Sequence, residues 1–150
     1  MPHPGADAER ERALAVASAK FDGCGAAKLG REAYFEALFD SRFVLCPRGF
    51  GLATFRFYEA LLAGAVPVVD TAADPGGRLL EDLYRDMPVL SVSRAFEDLD
   101  PDLLEGAWGR LRARDAENAL DVKAAFLPYW IREIARASLD PADGPAWLAA

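Results

Sequence analysis

Two short apolar runs, separated by a helical pattern, organise the middle of the chain. The first is "RFVLC" at residues 42–46 and the second is "AVPVV" at residues 65–69. Each is bounded by turn residues, which is typical of a strand buried on both faces. Residues 54–63 follow a helical period, and Gly64 is well placed to end that helix. Strand, helix and strand form a βαβ unit, which predicts two parallel strands with the helix packed on one face of the sheet.

The helix between these strands has a polar and an apolar side. Phe55, Tyr58 and Leu62 are spaced on one side, which we expect to pack against the sheet. Arg56 and Glu59 are three positions apart and project from the opposite side. The pattern therefore predicts one buried apolar face and one face that carries a cation and a carboxylate.

Helical patterns flank this unit on both sides. We expect a polar, frayed lead-in with a helix at residues 7–19, and a second helix at residues 31–41. Downstream, "MPVLSVS" at residues 87–93 predicts a third short strand, and the remainder is helical, with Pro128 dividing the last segment, residues 116–139. The stripes expected to pack are Tyr34, Leu38, Phe35 and Phe39 in the second helix, Leu103, Ala107 and Leu111 in the next, and Val122, Phe126, Trp130 and Ile134 in the last.

The order of these elements predicts an α/β fold, a Rossmann-like three-layer domain with a short parallel sheet. We divide the chain into a polar lead-in and helix at residues 1–20, one domain at residues 21–140 and a C-terminal tail at residues 141–150. A length of 150 residues fits one domain of this kind.

Composition and charge narrow the function classes. Hydrophobic residues make up 52% and charged residues 27% of the chain, which is ordinary globular usage and argues against disorder and membrane spanning. The net charge of -7 argues against bulk attraction to nucleic acid or anionic lipid, so an anion has to be bound by local cations. With no apolar run long enough for a transmembrane segment and no secretory signal pattern, we expect a cytoplasmic protein.

Histidine, cysteine and metal chemistry are poorly supported. His3 is the only histidine, which removes His-based triads and His-rich metal sites. Cys24 and Cys46 have no metal-ligand spacing, and we interpret both as free thiols, with Cys46 a small buried residue at a strand end. Asp70 and Asp74 follow the second strand, where we expect a solvated loop. We therefore expect no metal ion and no cofactor.

Two further patterns have plain structural explanations. An Asp-x-Asp arrangement occurs at residues 98–102, but Asp100 fits the N-cap and Pro101 the first position of the following helix. Aromatic residues on helical stripes are expected in the core rather than at a ligand-binding surface, namely Trp108, Tyr129 and Trp130.

The turn after the first strand offers an anion site. In open α/β sheets, ligands bind beyond the carboxyl ends of the strands, where loops meet helix N-termini. Gly49 and Gly51 let the backbone approach a ligand, and the helix that starts near Thr54 points free amides at the same space. Arg48 can add a charge-assisted hydrogen bond to a phosphate oxygen. The turn therefore suits a phosphate.

The following helix adds a second cation and a carboxylate. Arg56 lies near the helix N-terminus, where cations are unfavourable unless an anion joins them. Glu59 cannot contact phosphate favourably but can accept hydrogen bonds from a ribose diol, so the pair suits a nucleotide. The plainer alternative is an exposed ion pair between Arg56 and Glu59 beside an ordinary turn. The turn, the helix start and the entry to the second strand together form a more specific pattern than a lone ion pair, which favours the nucleotide site.

The run "SRFVLCPRGFGLATFRFYEALLAGAVPVV" at residues 41–69 resembles the nucleotide-sugar segment of the exostosin-like glycosyltransferases. That family's motif runs Ser-x-Phe, a Cys-Pro-Arg-Gly turn, a Ser/Thr-x-Arg helix with Glu three residues later, and Gly-x-x-Pro-Val. The resemblance implies that residues 21–140 are the C-terminal, donor-binding half of a GT-B glycosyltransferase. It further implies a nucleotide sugar, UDP-linked, as the donor substrate, and glycosyl transfer to a glycan or other acceptor.

The resemblance also implies roles for individual residues. Two arginines, Arg48 and Arg56, would hold the diphosphate, and Glu59 would hold the ribose. The loop and the helix start would be formed by Gly49, Gly51 and Thr54. No catalytic residue is assigned.

The chain departs from the family in its size. Family members have two Rossmann-like domains with the active site in the cleft between them, whereas 150 residues supply one. An inverting GT-B enzyme generally takes its catalytic base and acceptor surface from the N-terminal half. This leaves open a truncated or partner-dependent module that binds a nucleotide without catalysis, with a separate N-terminal subunit or a homo-oligomer as partner. A different phosphate-binding α/β protein is a third alternative.

Overall fold

The computed structural model describes residues 4–21, 29–49, 54–71, 84–93 and 96–126, and positions 128, 129, 131, 132 and 135. Four α-helices and three β-strands have bounds within these ranges. The helices are α1 (Pro4–Lys20), α2 (Arg31–Asp40), α3 (Phe55–Leu62) and α4 (Pro101–Ala116), the strands are β1 (Phe43–Leu45), β2 (Val66–Asp70) and β3 (Leu90–Val92), and a 3-10 helix spans Lys123–Ala125.

The three strands form one parallel sheet in the order β1-β2-β3. Phe43 stands opposite Val66 in the first pair, and Val68 stands opposite Leu90 in the second. Because α3 connects β1 to β2, these elements form the predicted βαβ unit, and β3 confirms the predicted third strand. Every residue of the central strand β2 is buried, as expected for a strand covered on both faces.

One face of the sheet is covered by α1 and α4. Val68 of β2 packs in a core that includes Ala13 of α1 and Leu111 of α4. Trp108 packs against this core, with its ring edge-to-face on Phe43 at a centroid distance of 6.1 Å, so it is a packing residue as predicted. The predicted stripe of α4 faces the same core, with Leu103 partly buried and Ala107 and Leu111 buried.

The other face of the sheet is covered by α3. Val69, the neighbour of Val68 in β2, packs with Phe57 of α3 and with Cys46 and Tyr84. Successive side chains of a strand point to opposite faces, so β2 supplies both cores. The resulting order of helices, sheet and helix confirms the predicted α/β, Rossmann-like fold class.

Two helix ends follow the signals in the sequence. The Asp100 carboxylate accepts a hydrogen bond from the backbone N–H of Leu103 at 2.7 Å, and Pro101 opens α4. Gly64 follows the end of α3 with φ of 78°, a left-handed conformation that glycine adopts without a steric penalty. Both predictions are confirmed.

Helix α1 is longer than predicted. The sequence predicts a frayed lead-in, but the helix begins at Pro4, and Ala13 is buried against the sheet. At its C-terminal end, Lys20 Nζ donates to the carbonyl oxygens of Glu97 and Leu99 at 2.6 and 2.7 Å. Among residues 8–20 of α1 the buried side chains are alanines, which give a weak hydrophobic periodicity, so the sequence pattern did not reveal the packing face.

The chain after α4 is not one long helix. The sequence predicts helix throughout residues 116–139, but Asn118 has φ of 55° and Phe126 is extended after the 3-10 helix. Asparagine adopts the left-handed region more readily than most residues, so it ends α4. The interruption at Phe126 lies two residues before Pro128, in agreement with the predicted division near that proline. Val122 and Phe126 were expected to pack, but both are exposed.

Some predicted features lie outside the described residues. They are the tail at residues 141–150 and the residues Cys24, Gly51, Asp74, Trp130 and Ile134. Within the described ranges, no helix combines the length and the apolar character needed to cross a membrane.

Candidate functional site

The carboxyl ends of β1 and β2 lie side by side, and the turn after β1 leads towards α3. The Cys46 amide still pairs with the Val68 carbonyl at 2.9 Å, so the turn begins beyond Cys46. Loops that follow parallel strands share one edge of the sheet. Arg48 and Gly49 lie in this turn, and Thr54 is the N-cap of α3.

Arg48 is held by a carboxylate from α1. Its Nε lies 2.8 Å from Glu9 Oε2, and its backbone N–H donates to Glu9 Oε1 at 3.3 Å. Nε is buried and has no hydrogen-bond partner among the described residues, so its contact with Oε2 is an ion pair without hydrogen-bond geometry. One turn thus presents a backbone donor and a cation to the same anionic group. A phosphate oxygen requires the same two kinds of partner.

Gly49 and Thr54 meet at the start of α3. A Cβ atom on Gly49 would lie 3.4 Å from Arg10 Nη2 and 3.5 Å from Thr54 Cγ2. Thr54 makes no side-chain cap hydrogen bond, and its Oγ1 is buried without a partner among the described residues. Such a group costs about 1–3 kcal/mol, so the Thr54 hydroxyl would gain from a ligand acceptor or donor. Gly51, the other predicted glycine, lies outside the described residues.

Arg56 and Glu59 lie in successive turns at the start of α3. Tyr34 of α2 donates through Oη to Glu59 Oε2 at 2.6 Å. Arg56 is exposed, and among the described residues it forms no ion pair with Glu59. The structure therefore does not show the exposed ion pair of the plainer alternative.

The Tyr34 hydroxyl is protonated at neutral pH. Burial raises the pKa of Tyr34 above its ordinary value of 10.0, and the hydrogen bond to Glu59 raises it further, whereas contact with Arg56 lowers it in part. A protonated phenol donates to an ionised carboxylate, so the direction of this hydrogen bond is set.

Cys46 is a buried, unreactive thiol, as predicted. Burial raises the pKa of Cys46 from 9.0 to about 12, against the lowering effects of the Arg56 charge and the backbone hydrogen bond with Val68, while Glu59 raises it slightly. Its Sγ donates to the Val44 carbonyl at 3.4 Å. Because the charges of Arg56 and Glu59 both act on this thiol, the two side chains lie near the carboxyl end of β1.

The face of α3 that packs against the sheet is not the predicted one. Phe57 and Ala60 are buried, whereas Phe55 is 89% exposed, Leu62 is 67% exposed and Tyr58 is 36% exposed. The sequence of α3 is apolar on several sides, so its spacing fits two alternative faces. The face with Phe57 is buried because that ring fills the core between the sheet and Tyr84, where the ring centroids are 4.7 Å apart.

Because a different face of α3 is buried from the one predicted, the surroundings of Arg56 and Glu59 also differ from those predicted. Arg56 is exposed, whereas Glu59 is partly buried and lies within reach of α2. There Tyr34 bonds to Glu59. On α2, Leu38 is buried as predicted, but Phe39, which was expected to pack, is 67% exposed.

Sequence reasoning missed three residues near the site. Asp70 was predicted to lie in a solvated loop, but it is the last residue of β2 and only 5% exposed. The apolar run before it continues into Asp70 without a break, which is a signal for a longer strand. Local sequence patterns do not reveal the contacts of Glu9 and Tyr34. Glu9 pairs with Arg48, 39 positions away, and Tyr34 pairs with Glu59, 25 positions away.

Other ligand features lie apart from these residues. Within the described part of the chain, no three or more His, Cys, Asp or Glu side chains are arranged to hold a metal ion. A groove of about 390 Å³ is lined by residues that include none of the predicted site residues, namely Lys123, Phe126, Pro128, Tyr129 and Arg132. The Arg132 guanidinium lies 5.5 Å from the Tyr129 ring centroid in this groove.

The match to a known family bears directly on this turn and helix. Residues 20–88 match the family model of the RXYLT1 C-terminal domain. That family is an exostosin-like glycosyltransferase family. The resemblance of residues 41–69 is thereby confirmed.

We call residues 20–88 the exostosin-like segment. It covers slightly less than half of the chain and includes α2, β1, α3 and β2, and with them every predicted site residue. Strand β3 and helix α4 lie outside this segment. Helix α1, which carries Glu9, also lies outside it except for its last residue, Lys20. No curated protein and no solved structure is significantly similar to the chain.

Proposed function

We propose that this chain binds a nucleotide sugar, with UDP as its nucleotide, and acts in glycosyl transfer to a glycan or other acceptor. The observation that carries this proposal is the Arg48 turn inside the exostosin-like segment. Its backbone N–H and guanidinium already hold the carboxylate of Glu9 at the carboxyl end of β1. A turn that holds one anion with these groups is suited to hold a diphosphate.

The proposed diphosphate site draws on the turn and on the start of α3. Arg48 and the amides at the α3 N-terminus bind one phosphate, Thr54 Oγ1 supplies a further hydrogen bond, and Arg56 adds the second positive charge. In a protein of net charge -7, such a local group of cations is needed to attract an anionic donor. Glu59 accepts hydrogen bonds from the ribose.

The chemistry that follows is displacement at the anomeric carbon. An acceptor hydroxyl oxygen bonds to this carbon and gives its proton to a general base, for which no residue of this chain is assigned. The bond from the carbon to the diphosphate oxygen breaks, and negative charge grows on the leaving diphosphate. Arg48, Arg56 and the helix N-terminus stabilise that charge, which is the contribution to catalysis we assign to this chain.

We expect Arg56→Ala to weaken UDP binding about 10- to 100-fold, because a hydrogen bond between charged groups contributes about 1.5–3 kcal/mol. The measurement is calorimetric titration of the purified chain with UDP. The matched control is Arg112→Ala, which removes another exposed arginine, from α4 on the other face of the sheet. Thermal unfolding should change little in either variant, because both side chains are exposed.

An affinity for UDP that Arg56→Ala leaves unchanged, or that Arg112→Ala lowers equally, would overturn the assignment. Equal binding of UDP, ADP and pyrophosphate would instead favour a general phosphate-binding protein. The same titration therefore separates a uridine site from a plain anion site.

One observation favours a second candidate function. The described residues form a single three-stranded sheet, whereas the resemblance implies a cleft between two such domains. The chain would then be a nucleotide-binding module that transfers no sugar by itself. UDP binding without release of sugar from a UDP-sugar supports this candidate, and sugar release or transfer by the purified chain contradicts it.

A further inference from the structure

The hydrogen bond between Tyr34 and Glu59 joins two elements that meet beside the candidate site. Tyr34 Oη, on α2, lies 2.6 Å from Glu59 Oε2, on α3. The distance is typical of a hydrogen bond from a hydroxyl to a charged carboxylate, about 2.5–2.7 Å. Both residues lie in the exostosin-like segment.

The packing of α3 on the sheet does not by itself orient Glu59. The buried residues of α3 are Phe57 and Ala60, and Glu59 lies on a different side of the helix. A glutamate side chain has three rotatable bonds, and holding it in one conformation costs up to about 1.5–2 kcal/mol of rotamer entropy. The bond from Tyr34 limits this freedom before any ligand arrives.

The hydrogen bond also makes the two oxygens of the Glu59 carboxylate different from each other. Within the described residues, Tyr34 supplies the hydrogen bond that the Glu59 carboxylate accepts, and it does so at Oε2. Oε1 keeps its lone pairs for donors outside this pair. Neighbouring hydroxyl groups of a ribose are such donors, whereas phosphate oxygens are not.

We propose that Tyr34 is a positioning residue that fixes the Glu59 carboxylate and thereby sets the preference of this site for a ribose that carries both hydroxyl groups. The inference rests on the proposed function, in which Glu59 holds the ribose. It adds a residue from α2 to a site otherwise built from the β1 turn and α3.

The test compares UDP with 2′,3′-dideoxy-UDP, which has the same diphosphate and base but lacks both ribose hydroxyl groups. In the unmodified chain we expect UDP to bind about 10- to 100-fold more tightly than the dideoxy compound. In Tyr34→Phe this ratio should fall about three- to tenfold, with nearly unchanged affinity for the dideoxy compound. The control is Tyr58→Phe, which removes a hydroxyl group from the partly exposed tyrosine next to Glu59 and should leave the ratio unchanged.

The outcomes separate this inference from the proposal on which it rests. If the unmodified chain prefers UDP and Tyr34→Phe keeps the same ratio, the role of Tyr34 is overturned while the donor site stands. An equal loss of affinity for both compounds in Tyr34→Phe also overturns it, because that pattern reports a general structural effect. Absence of UDP binding by the unmodified chain overturns both proposals.

Discussion

Cys46 shows how far one residue's environment can differ from its sequence context. The residue stands directly before a turn with two cations nearby in the chain, a setting that would activate an exposed thiol. Burial outweighs this effect and raises the pKa of Cys46 to about 12. The thiol is therefore a reporter of local opening of the sheet edge.

We expect iodoacetamide to modify native Cys46 several hundred-fold more slowly than the denatured thiol at pH 9.0. At that pH about half of the denatured thiols are ionised, against about one in a thousand native ones, and the thiolate is the reactive form. The measurement is the rate of alkylation by mass spectrometry in a Cys24→Ser background, with Cys46→Ser as the unlabelled control. Equal native and denatured rates would contradict the burial of the thiol.

The same shift has a consequence for stability. The folded-state pKa of Cys46 is raised, so the unfolded chain loses its thiol proton first as the pH increases. This contribution to stability is complete below about pH 9 and is lost between about pH 9 and pH 12.

At the residue scale, the sequence predicts features that depend on near neighbours. Asp100 caps α4 and Gly64 ends α3 because each acts on a helix end that is adjacent in the chain. Contacts across long separations leave no such pattern. The pairing of Arg48 with a glutamate of α1 and of Glu59 with a tyrosine of α2 depends on how the helices pack, so no local signal predicts them.

At the element scale, the strands were easier to predict than the faces of the helices. The strands β1 and β2 are apolar runs, partly buried in β1 and fully buried in β2, that fit few other structures. Helix α3 has only eight residues, and aromatic side chains occupy positions on more than one side of it. Its packing face was decided by the fit of Phe57 into the core, a tertiary effect that helical spacing alone does not contain.

The end of α3 gives a prediction at this scale. Gly64→Ala should lower the free energy of unfolding by about 1–2 kcal/mol, because φ at this position is 78° and an alanine pays a steric penalty there. Gly109→Ala is the control, since Gly109 lies inside α4 and an added Cβ would meet no atom within 4 Å. That variant should stabilise the chain by about 0.5–1 kcal/mol. Chemical denaturation measures both, and a change of the same sign in the two variants would contradict the difference in backbone conformation.

In the whole molecule, helix α1 links the core of the sheet to the candidate site. It packs on the sheet through Ala13 and reaches the candidate site through Glu9. The order of layers was predictable from the βαβ unit, whereas this reach was not, because the sequence predicts a frayed start for α1. The Glu9 carboxylate thus contacts the same hydrogen-bond donors of Arg48 that the proposed diphosphate would use.

We expect Glu9→Gln to raise the affinity for UDP about two- to fivefold. The amide keeps the shape of the side chain but removes the charge that competes with phosphate, and a partly exposed ion pair contributes about 0.2–1 kcal/mol. Glu11→Gln, an exposed change of equal charge in α1, is the control. Calorimetric titration of both variants decides the matter, and weaker binding by Glu9→Gln would show that Glu9 supports the site instead of competing for it.

The two cores of the sheet set a minimum length for an independently folding piece of this chain. The exostosin-like segment contains the buried residues of one core, but Ala13, Ala107 and Leu111 of the other core come from beyond its ends. Cut to residues 20–88, the chain would turn one side of its central strand, with Val66 and Val68, to water. An expression fragment that retains the Arg48 turn as a folded protein therefore has to extend well past the family boundary in both directions, to include α1 and α4.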